Sequence, residues 1–305
     1  MLKVRVLGSA AGGGYPQWNC NCPVCQLAWR GDSRVRRRTQ SSIAVSADGE
    51  HWFLFNASPD LREQIAANPP LQPAVEGRHS PIAGVVLTNA DVDHIGGLLT
   101  VRESQPLNLY ATAKVLDALA ANSLFNVLNP DFVSRRPLAL DRPVELTTPS
   151  DEMPQLEIEA FAVPGKVALF LEGLDENTGE DTVALHVRAH NSDAHFYYIP
   201  GCARVTPELA DRLADAPLVL FDGTLWTDDE MIAAGVGRKT GQRMGHISLS
   251  GPDGTLAVFA DISVRRKVLI HINNTNPVLI EDSPEAKAVG EAGWDIAYDG
   301  MEISL

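Results

Sequence analysis

Residues 87–99 read LTNADVDHIGGLL, the end of an apolar strand followed by a turn that carries Asp91, Asp93 and His94. The preceding run 84–88 (GVVLT) is typical of a buried strand, and turns positioned by a rigid strand often carry functional groups. A helix cap accounts for one of the acidic residues but leaves the other potential ligands unexplained. We therefore predict a metal site at this turn, completed by residues that are distant in sequence.

Two other histidines and one aspartate have comparable settings. His271 follows the apolar strand run 267–270 (KVLI), and His246 lies in a glycine-bearing loop. Asp222 ends the strand run 218–221 (LVLF), where it either orients a metal ligand or caps the next turn. The remaining five histidines lack such settings and are predicted to be ordinary polar residues.

Three cysteines are concentrated within six residues. Cys20, Cys22 and Cys25 have Cys-x-Cys-x-x-Cys spacing, which suits a tetrahedral structural zinc that needs a fourth ligand. Free thiols or a redox pair are the alternatives. A zinc would pin the long cysteine-bearing loop, at about 9–40, beside the active site. The lone Cys202 is predicted to be a small buried apolar residue.

The charge balance argues against a nucleic-acid partner. The chain has 25 Lys and Arg against 39 Asp and Glu, a net charge of −14, whereas nucleic-acid binders are usually basic. One basic run is a solvated loop or a site for the carboxylates of a small acidic substrate. It comprises Arg34, Arg36, Arg37 and Arg38.

The sequence offers no membrane span. No apolar run approaches the ~20 residues that cross a bilayer. Residues 1–10 (MLKVRVLGSA) alternate apolar and charged side chains like a strand rather than a signal peptide. We therefore predict a cytoplasmic protein.

Strand-like runs alternate with a few helical patterns along the whole chain, which predicts an α/β protein with packed sheets and helices outside. Without a compositional break, we expect one domain over residues 1–305. The strand runs lie near 2–8, 42–46, 51–56, 82–88, 106–111, 156–163, 182–189, 195–200, 217–222, 267–272 and 294–304. The helical patterns lie near 59–67, 113–122, 206–215 and 284–291.

The stretch 88–97 (TNADVDHIGG) resembles the His-x-His-x-Asp-His signature of the metallo-β-lactamase superfamily, with Asn89 and Asp91 in the places of the first two histidines. With the stretches 15–22, 268–277 and 298–303, the resemblance narrows to proteins of pyrroloquinoline quinone (PQQ) biosynthesis. It implies a metallo-β-lactamase-like αβ/βα sandwich, in which two mixed sheets pack face to face with helices outside.

Departures from the superfamily pattern imply a single metal ion. Asn89 is a poor ligand, and 165–166 (GK) and 200–202 (PGC) stand where a later histidine and a bridging aspartate are expected. Two-metal hydrolysis needs both ions. The second position keeps its ligands, which are Asp93, His94 and His271 with Asp91 as a fourth. This set is typical of non-haem Fe(II) oxygenases, although zinc or manganese would also accept it.

The resemblance implies an Fe(II)-dependent hydroxylase that acts on the tyrosine ring of a glutamate–tyrosine cross-linked precursor of PQQ. His246 matches a catalytic-loop histidine of related phosphodiesterases and would move a proton, with Asp222 in support. Asn274 stands where those relatives have the fourth ligand of the cysteine zinc. A carrier of the PQQ product and a single-metal hydrolase are the competing functions. A homodimer and contacts with other proteins of the pathway are compatible with the sequence.

Overall fold

The computed structural model describes residues 1–173, 178–190 and 192–305. Within these ranges, fourteen strands form two seven-stranded sheets. The first sheet contains, in spatial order, β14 (Glu302–Ser304), β1 (Lys3–Gly8), β2 (Ser42–Ser46), β3 (Trp52–Phe55), β4 (Ile82–Val86), β5 (Leu107–Thr112) and β6 (Val133–Leu138). The second contains β13 (Trp294–Ile296), β12 (Lys267–Ile270), β11 (Val219–Asp222), β10 (His195–Ile199), β9 (Val183–Ala189), β8 (Leu156–Ala162) and β7 (Pro143–Glu145).

Each sheet is antiparallel at one end and parallel at the other. Strands β14, β1, β2 and β3 pair antiparallel, and β3 to β6 pair parallel. In the second sheet β7 to β10 pair antiparallel and β10 to β13 pair parallel. Ligand sites in such sheets usually lie beyond the carboxyl ends of the parallel strands. The ends of β4, β11 and β12 are therefore the places to look for a site.

The two sheets pack face to face around a continuous apolar core. Phe55 of β3 contacts Phe196 and Tyr198 of β10 across the interface, with ring centroids 6.5 and 6.1 Å apart. All three side chains are fully buried. The α/β prediction of two mixed sheets with helices outside is confirmed.

Helices cover the outer faces. Helices α2 and α4 pack on the first sheet, and α5, α8, α9 and the cysteine-bearing loop pack on the second. The helices of the described residues are α1 (Pro23–Arg30), α2 (Leu61–Ala67), α3 (Val92–Ile95), α4 (Ala113–Ala120), α5 (Pro207–Leu213), α6 (Glu230–Ala233), α7 (Gly241–Met244), α8 (Thr255–Val258) and α9 (Pro284–Glu291). Short 3-10 turns occupy Pro69–Leu71, Gly96–Leu99, Ser123–Val127, Leu169–Leu171 and Pro277–Leu279.

The four predicted helices are confirmed as α2, α4, α5 and α9. Thr206 caps α5 and Ser283 caps α9, each accepting a hydrogen bond from the backbone N–H three residues on. None of the helices in the described ranges is both long and apolar enough to cross a membrane.

Three local predictions were incomplete. β6 and β7 were missed because both are edge strands of mixed polarity, and each contains a proline. The run 294–304 is two strands, since β13 pairs with β12 in one sheet and β14 pairs with β1 in the other. The loop 9–40 contains α1, which begins directly after Cys22.

Candidate metal centre

A cavity of about 400 Å³ opens where the ends of β4, β11 and β12 meet. Its wall includes Asp93 and His94 from the turn after β4, His271 from the end of β12, and His246 from the loop after α7. Residues separated by more than 170 positions in sequence are thus brought to one pocket by the parallel halves of the two sheets.

Three of these side chains converge on one point. Asp93, His94 and His271 offer one ligand atom each, and these atoms all lie within 4.8 Å of one another. Asp93 Oδ2 is 3.1 Å from His271 Nε2 and 3.8 Å from His94 Nε2. One carboxylate and two imidazoles at this spacing are a donor set that transition metals accept.

Asn89 fixes the orientation of His94. The Nδ1–H of His94 donates to Asn89 Oδ1 at 2.7 Å, which leaves the lone pair on Nε2. His94 Nε2 is buried and has no hydrogen-bond partner within the described part of the chain. A buried nitrogen lone pair without a donor is costly unless a cation binds there, so the site fits a metal ion.

Thr224 and Asp222 orient the other two histidines. His246 Nδ1 is 2.6 Å from Asp222 Oδ2, and His271 Nδ1 is 2.9 Å from Thr224 Oγ1. The Thr224 hydroxyl donates to Asp222 Oδ1 at 2.6 Å, so its oxygen is free to accept from His271 Nδ1–H. In their neutral forms both imidazoles therefore carry a lone pair on Nε2, whereas protonated His271 donates from Nε2 to Asp93 Oδ2 at 3.1 Å. Asp222 is an orienting residue here, rather than only a cap of the next turn.

The ionisation of the trio reflects burial and mutual attraction. Burial lowers the pKa of His94 to about 4. Burial opposes the charge of Asp93, but His94 and His271 outweigh it and hold the pKa of Asp93 well below its usual range. For His271, the hydrogen bond to Asp93 and its negative charge outweigh burial and raise the pKa. The carboxylate thus remains ionised, as a metal ligand must be.

The backbone at His271 is unusual. Its φ of 61° lies in the left-handed region, which residues other than glycine seldom adopt. This conformation directly follows the end of β12 at Ile270. Such backbone strain is typical of sites where the surrounding structure holds a functional side chain in place.

The structure places Asp91 in an ion pair beside the predicted site. Both of its carboxylate oxygens lie 3.1 Å from Lys166 Nζ, and one also accepts the Leu169 N–H at 3.1 Å. Asp91 lies in the cavity wall, but these bonds hold it away from the cluster of Asp93, His94 and His271. Lys166 stands where the superfamily pattern expects a histidine, and its ammonium disfavours a second metal ion beside it.

The cysteine cluster is buried at the base of α1. The sulfurs of Cys20, Cys22 and Cys25 lie within 4.8 Å of one another. The Asn274 side-chain amide contacts this cluster, donating from Nδ2 to Cys20 Sγ at 3.2 Å and to Cys25 Sγ at 3.3 Å. A hydrogen bond from Cys25 to the Cys22 sulfur lowers the pKa of Cys22. Asn274 would coordinate a zinc there through Oδ1, after a half-turn of its amide.

The structure places the four arginines at 34–38 in contacts outside the cavity. Arg34 pairs with Asp32 at 2.9 Å, and Arg36 pairs with Glu281 at 2.7 Å. The guanidinium of Arg37 lies over the Trp29 ring, and that of Arg38 is buried and donates to the Ala297 carbonyl. This basic run therefore fastens the loop instead of binding a ligand in the cavity.

Asn89, Thr224 and Lys166 contact the candidate site, and the sequence left their roles unassigned. Thr224 lies two residues after Asp222 at a strand end, and Lys166 replaces an expected histidine, so both carried a signal in the sequence. Their partners are 5 to 75 residues away, which local pattern does not reveal.

Comparison with known proteins agrees with this geometry. A family model described as Beta-lactamase superfamily domain matches residues 51–272. A diphosphatase from the PhnP family shares the fold, with a TM-score of 0.70 and 20% identity over 99% of this chain and 96% of that one. The sandwich and the donors at its strand ends thus define a protein of the metallo-β-lactamase class.

Two full-length relatives narrow the assignment. Coenzyme PQQ synthesis protein B of Xanthomonas campestris pv. campestris (strain B100) is 54% identical over 308 residues, covering 100% of both chains. The crystal structure of Zn²⁺-bound PqqB from Methylobacterium extorquens has 52% identity and a TM-score of 0.92, over 99% of this chain and 100% of that one. The chain belongs to the coenzyme PQQ synthesis protein B family.

Proposed function

We propose that this protein is a cytoplasmic Fe(II)-dependent hydroxylase that acts on the tyrosine ring of a glutamate–tyrosine cross-linked precursor of PQQ. The observation that carries the proposal is the convergence of Asp93, His94 and His271, with the His94 Nε2 lone pair buried and unpartnered among the described residues. One carboxylate and two histidines, with positions left open for other ligands, are typical of non-haem iron oxygenases.

A two-metal hydrolase is disfavoured by the other wall of the cavity. Asn89 is committed to His94, and Asp91 is committed to Lys166. A second cation would have to displace the ammonium of Lys166, which both carboxylate oxygens of Asp91 bind. Without two ions, the attacking and leaving oxygens of a hydrolysis are not both stabilised.

The residues around the metal position suit a phenolic substrate. Iron(II), when bound, supplies the redox chemistry that activates dioxygen. His246 stacks on His271 with ring centroids 5.1 Å apart, and its Nδ1–H is held by Asp222. His246 Nε2 is therefore available to accept the phenolic proton of the substrate. Met231 and Met244 line the same cavity and offer apolar surface to an aromatic ring.

The proposal includes a structural zinc on Cys20, Cys22 and Cys25, with Asn274 as the fourth ligand. The three buried sulfurs and the amide beside them support it. The M. extorquens relative is described as Zn²⁺-bound, which is consistent with a metal in this family.

The experiment is anaerobic reconstitution with Fe(II), followed by exposure to oxygen and the cross-linked glutamate–tyrosine peptide, with ascorbate to supply the two electrons that reduce the second oxygen atom to water. Mass analysis of the product should show the gain of one oxygen atom, dependent on iron and absent with the His94→Ala variant. Peptide cleavage would instead favour a hydrolase. Unchanged peptide together with tight binding of PQQ would favour a carrier.

A further inference from the structure

Three of the residues that line the cavity are cationic, beside three carboxylates. The protein as a whole has a net charge of −14, yet Lys166, Arg238 and Lys239 all line this one pocket. A strongly acidic protein repels acidic ligands at long range, so it needs a local cationic patch to bind one. The position of these three side chains is therefore informative about the ligand.

Two of the three cations are already paired. Lys166 binds Asp91 at 3.1 Å, and Lys239 binds Glu172 at 2.7 Å. Arg238 has no ion pair or hydrogen bond with any of the described residues, although it faces the same cavity. Within the described ranges, its guanidinium is the one cation among these three without a bonded partner, and that planar fork matches a carboxylate.

The backbone that carries Arg238 is fixed before a ligand arrives. The N–H groups of Val236 and Gly237 both donate to the Met231 carbonyl, at 3.0 and 3.1 Å. Gly237 lies so close to α6 that an added Cβ would be 2.8 Å from Met231 Cβ. Arg238 therefore follows a turn that is held against Met231, which places a cationic residue next to an apolar one.

We propose that Arg238, supported by Lys239, binds a carboxylate of an anionic aromatic ligand whose ring lies along Met231 and Met244 toward the metal position. This assignment replaces the arginines of the 34–38 run as the carboxylate site. It rests on the proposed function for the identity of the aromatic ligand, but the charge requirement comes from the cavity itself.

The test compares binding of PQQ, a tricarboxylate, with binding of its uncharged trimethyl ester to zinc-loaded protein, by calorimetry. Wild-type protein should prefer the acid. Arg238→Ala should weaken acid binding about tenfold, as expected for loss of one charge-assisted hydrogen bond, and leave ester binding unchanged. Arg238→Lys should recover part of the affinity. Arg243→Ala is the matched control, since Arg243 is exposed and does not line the cavity.

The subsite would be overturned if wild-type protein failed to bind the acid, if Arg238→Ala bound it as tightly as wild type, or if Arg243→Ala lost as much affinity. The iron-loaded protein gives an independent readout, in which Arg238→Ala should raise KM for the peptide with little change in kcat. Acid preference that depends on Arg238 without any oxygen insertion would uphold the subsite and contradict the hydroxylase. Hydroxylation with the same KM in Arg238→Ala as in wild type would uphold the hydroxylase and contradict the subsite.

Discussion

The hydrogen bonds that the Nδ1 atoms make determine which ring nitrogen of each histidine is available to bind a metal. Asn89, Asp222 and Thr224 accept from His94, His246 and His271 respectively, and in the neutral ring each bond leaves the lone pair on Nε2. Partners of this kind commonly tune a metal site as strongly as the ligands themselves. A residue that never touches the metal is therefore expected to affect its binding.

Thr224→Val removes the hydroxyl that links Asp222 to His271. We expect metal affinity at the cavity site to fall about 10- to 100-fold, because the His271 ring loses the acceptor that fixes its tautomer. Thr224→Ser keeps the hydroxyl and should restore the affinity, which a purely steric role would not explain. Competition titration with a chelator gives the measurement. Equal affinities for wild type and both variants would contradict the positioning role.

Glu230 should make stability depend on pH. Burial raises the pKa of Glu230 from its usual 4.5 to about 7, despite hydrogen bonds from Thr275 and from the Trp226 N–H. The folded state then binds more protons than the unfolded state between these values, so stability falls as pH rises through that window. The loss is of order 1–3 kcal/mol and is complete above about pH 7.

Glu230→Gln imitates the neutral acid and should lack this loss. Denaturant unfolding of both proteins, stripped of metal, at pH values from 4 to 8 isolates the effect. The variant should gain stability relative to wild type as pH rises. A constant difference between the two proteins across this range would show that Glu230 is not buried as described.

At the scale of single residues, the sequence predicted which side chains come together better than it predicted which of them form pairs. Asp93, His94 and His271 do converge, and the three cysteines form a cluster with Asn274. These positions follow from strand ends and short spacings. The pairing of Asp91 with Lys166, by contrast, depends on how the segment after β8 folds back over the cavity, which no local pattern specifies.

At the scale of elements, the loop after β12 connects the two candidate metal positions. His271 contributes to the cavity, Asn274 contacts the cysteine sulfurs, and Thr275 donates to Glu230 at the start of α6. His271 and Asn274 are only three positions apart. Disturbance of the cysteine cluster is therefore expected to reach the cavity through this loop.

Cys22→Ser should remove zinc and lower the melting temperature by several degrees. In the proposed zinc site Cys22 supplies a ligand at the start of α1, so loss of the ion frees the loop, while serine can still cap the helix. Cys202→Ser is the matched control, because Cys202 is buried outside the cluster and serine can still donate to the Arg204 carbonyl. Elemental analysis with thermal unfolding tests the pair. If Cys22→Ser retained zinc and melting temperature, the structural-zinc proposal would be wrong.

Elements with a strong cap or a continuous apolar run were predictable, and the others were not. Thr206 and Ser283 marked the starts of α5 and α9 correctly. α1 was not predicted within the cysteine-bearing loop, and β6 is an edge strand that carries the exposed Arg136. Edge elements bury too few apolar residues to leave a periodic pattern.

For the whole molecule, the fold explains why one cavity holds all the candidate chemistry. The parallel halves of the two sheets bring the ends of β4, β11 and β12 together, and the loops beyond them form the wall. One set of metal donors lies at the base of this cavity, and the Lys166–Asp91 pair occupies the side where a second ion would bind. The central claim is therefore a single metal ion bound by Asp93, His94 and His271.

The most direct test is an anaerobic titration of Fe(II) into protein whose cysteine cluster is already filled with one equivalent of zinc. The account predicts one further equivalent of iron in wild-type protein, and none bound tightly in His94→Ala or His271→Ala, with both variants folded by circular dichroism. Binding of two further equivalents, or unchanged iron binding by both variants, would contradict the single site described here.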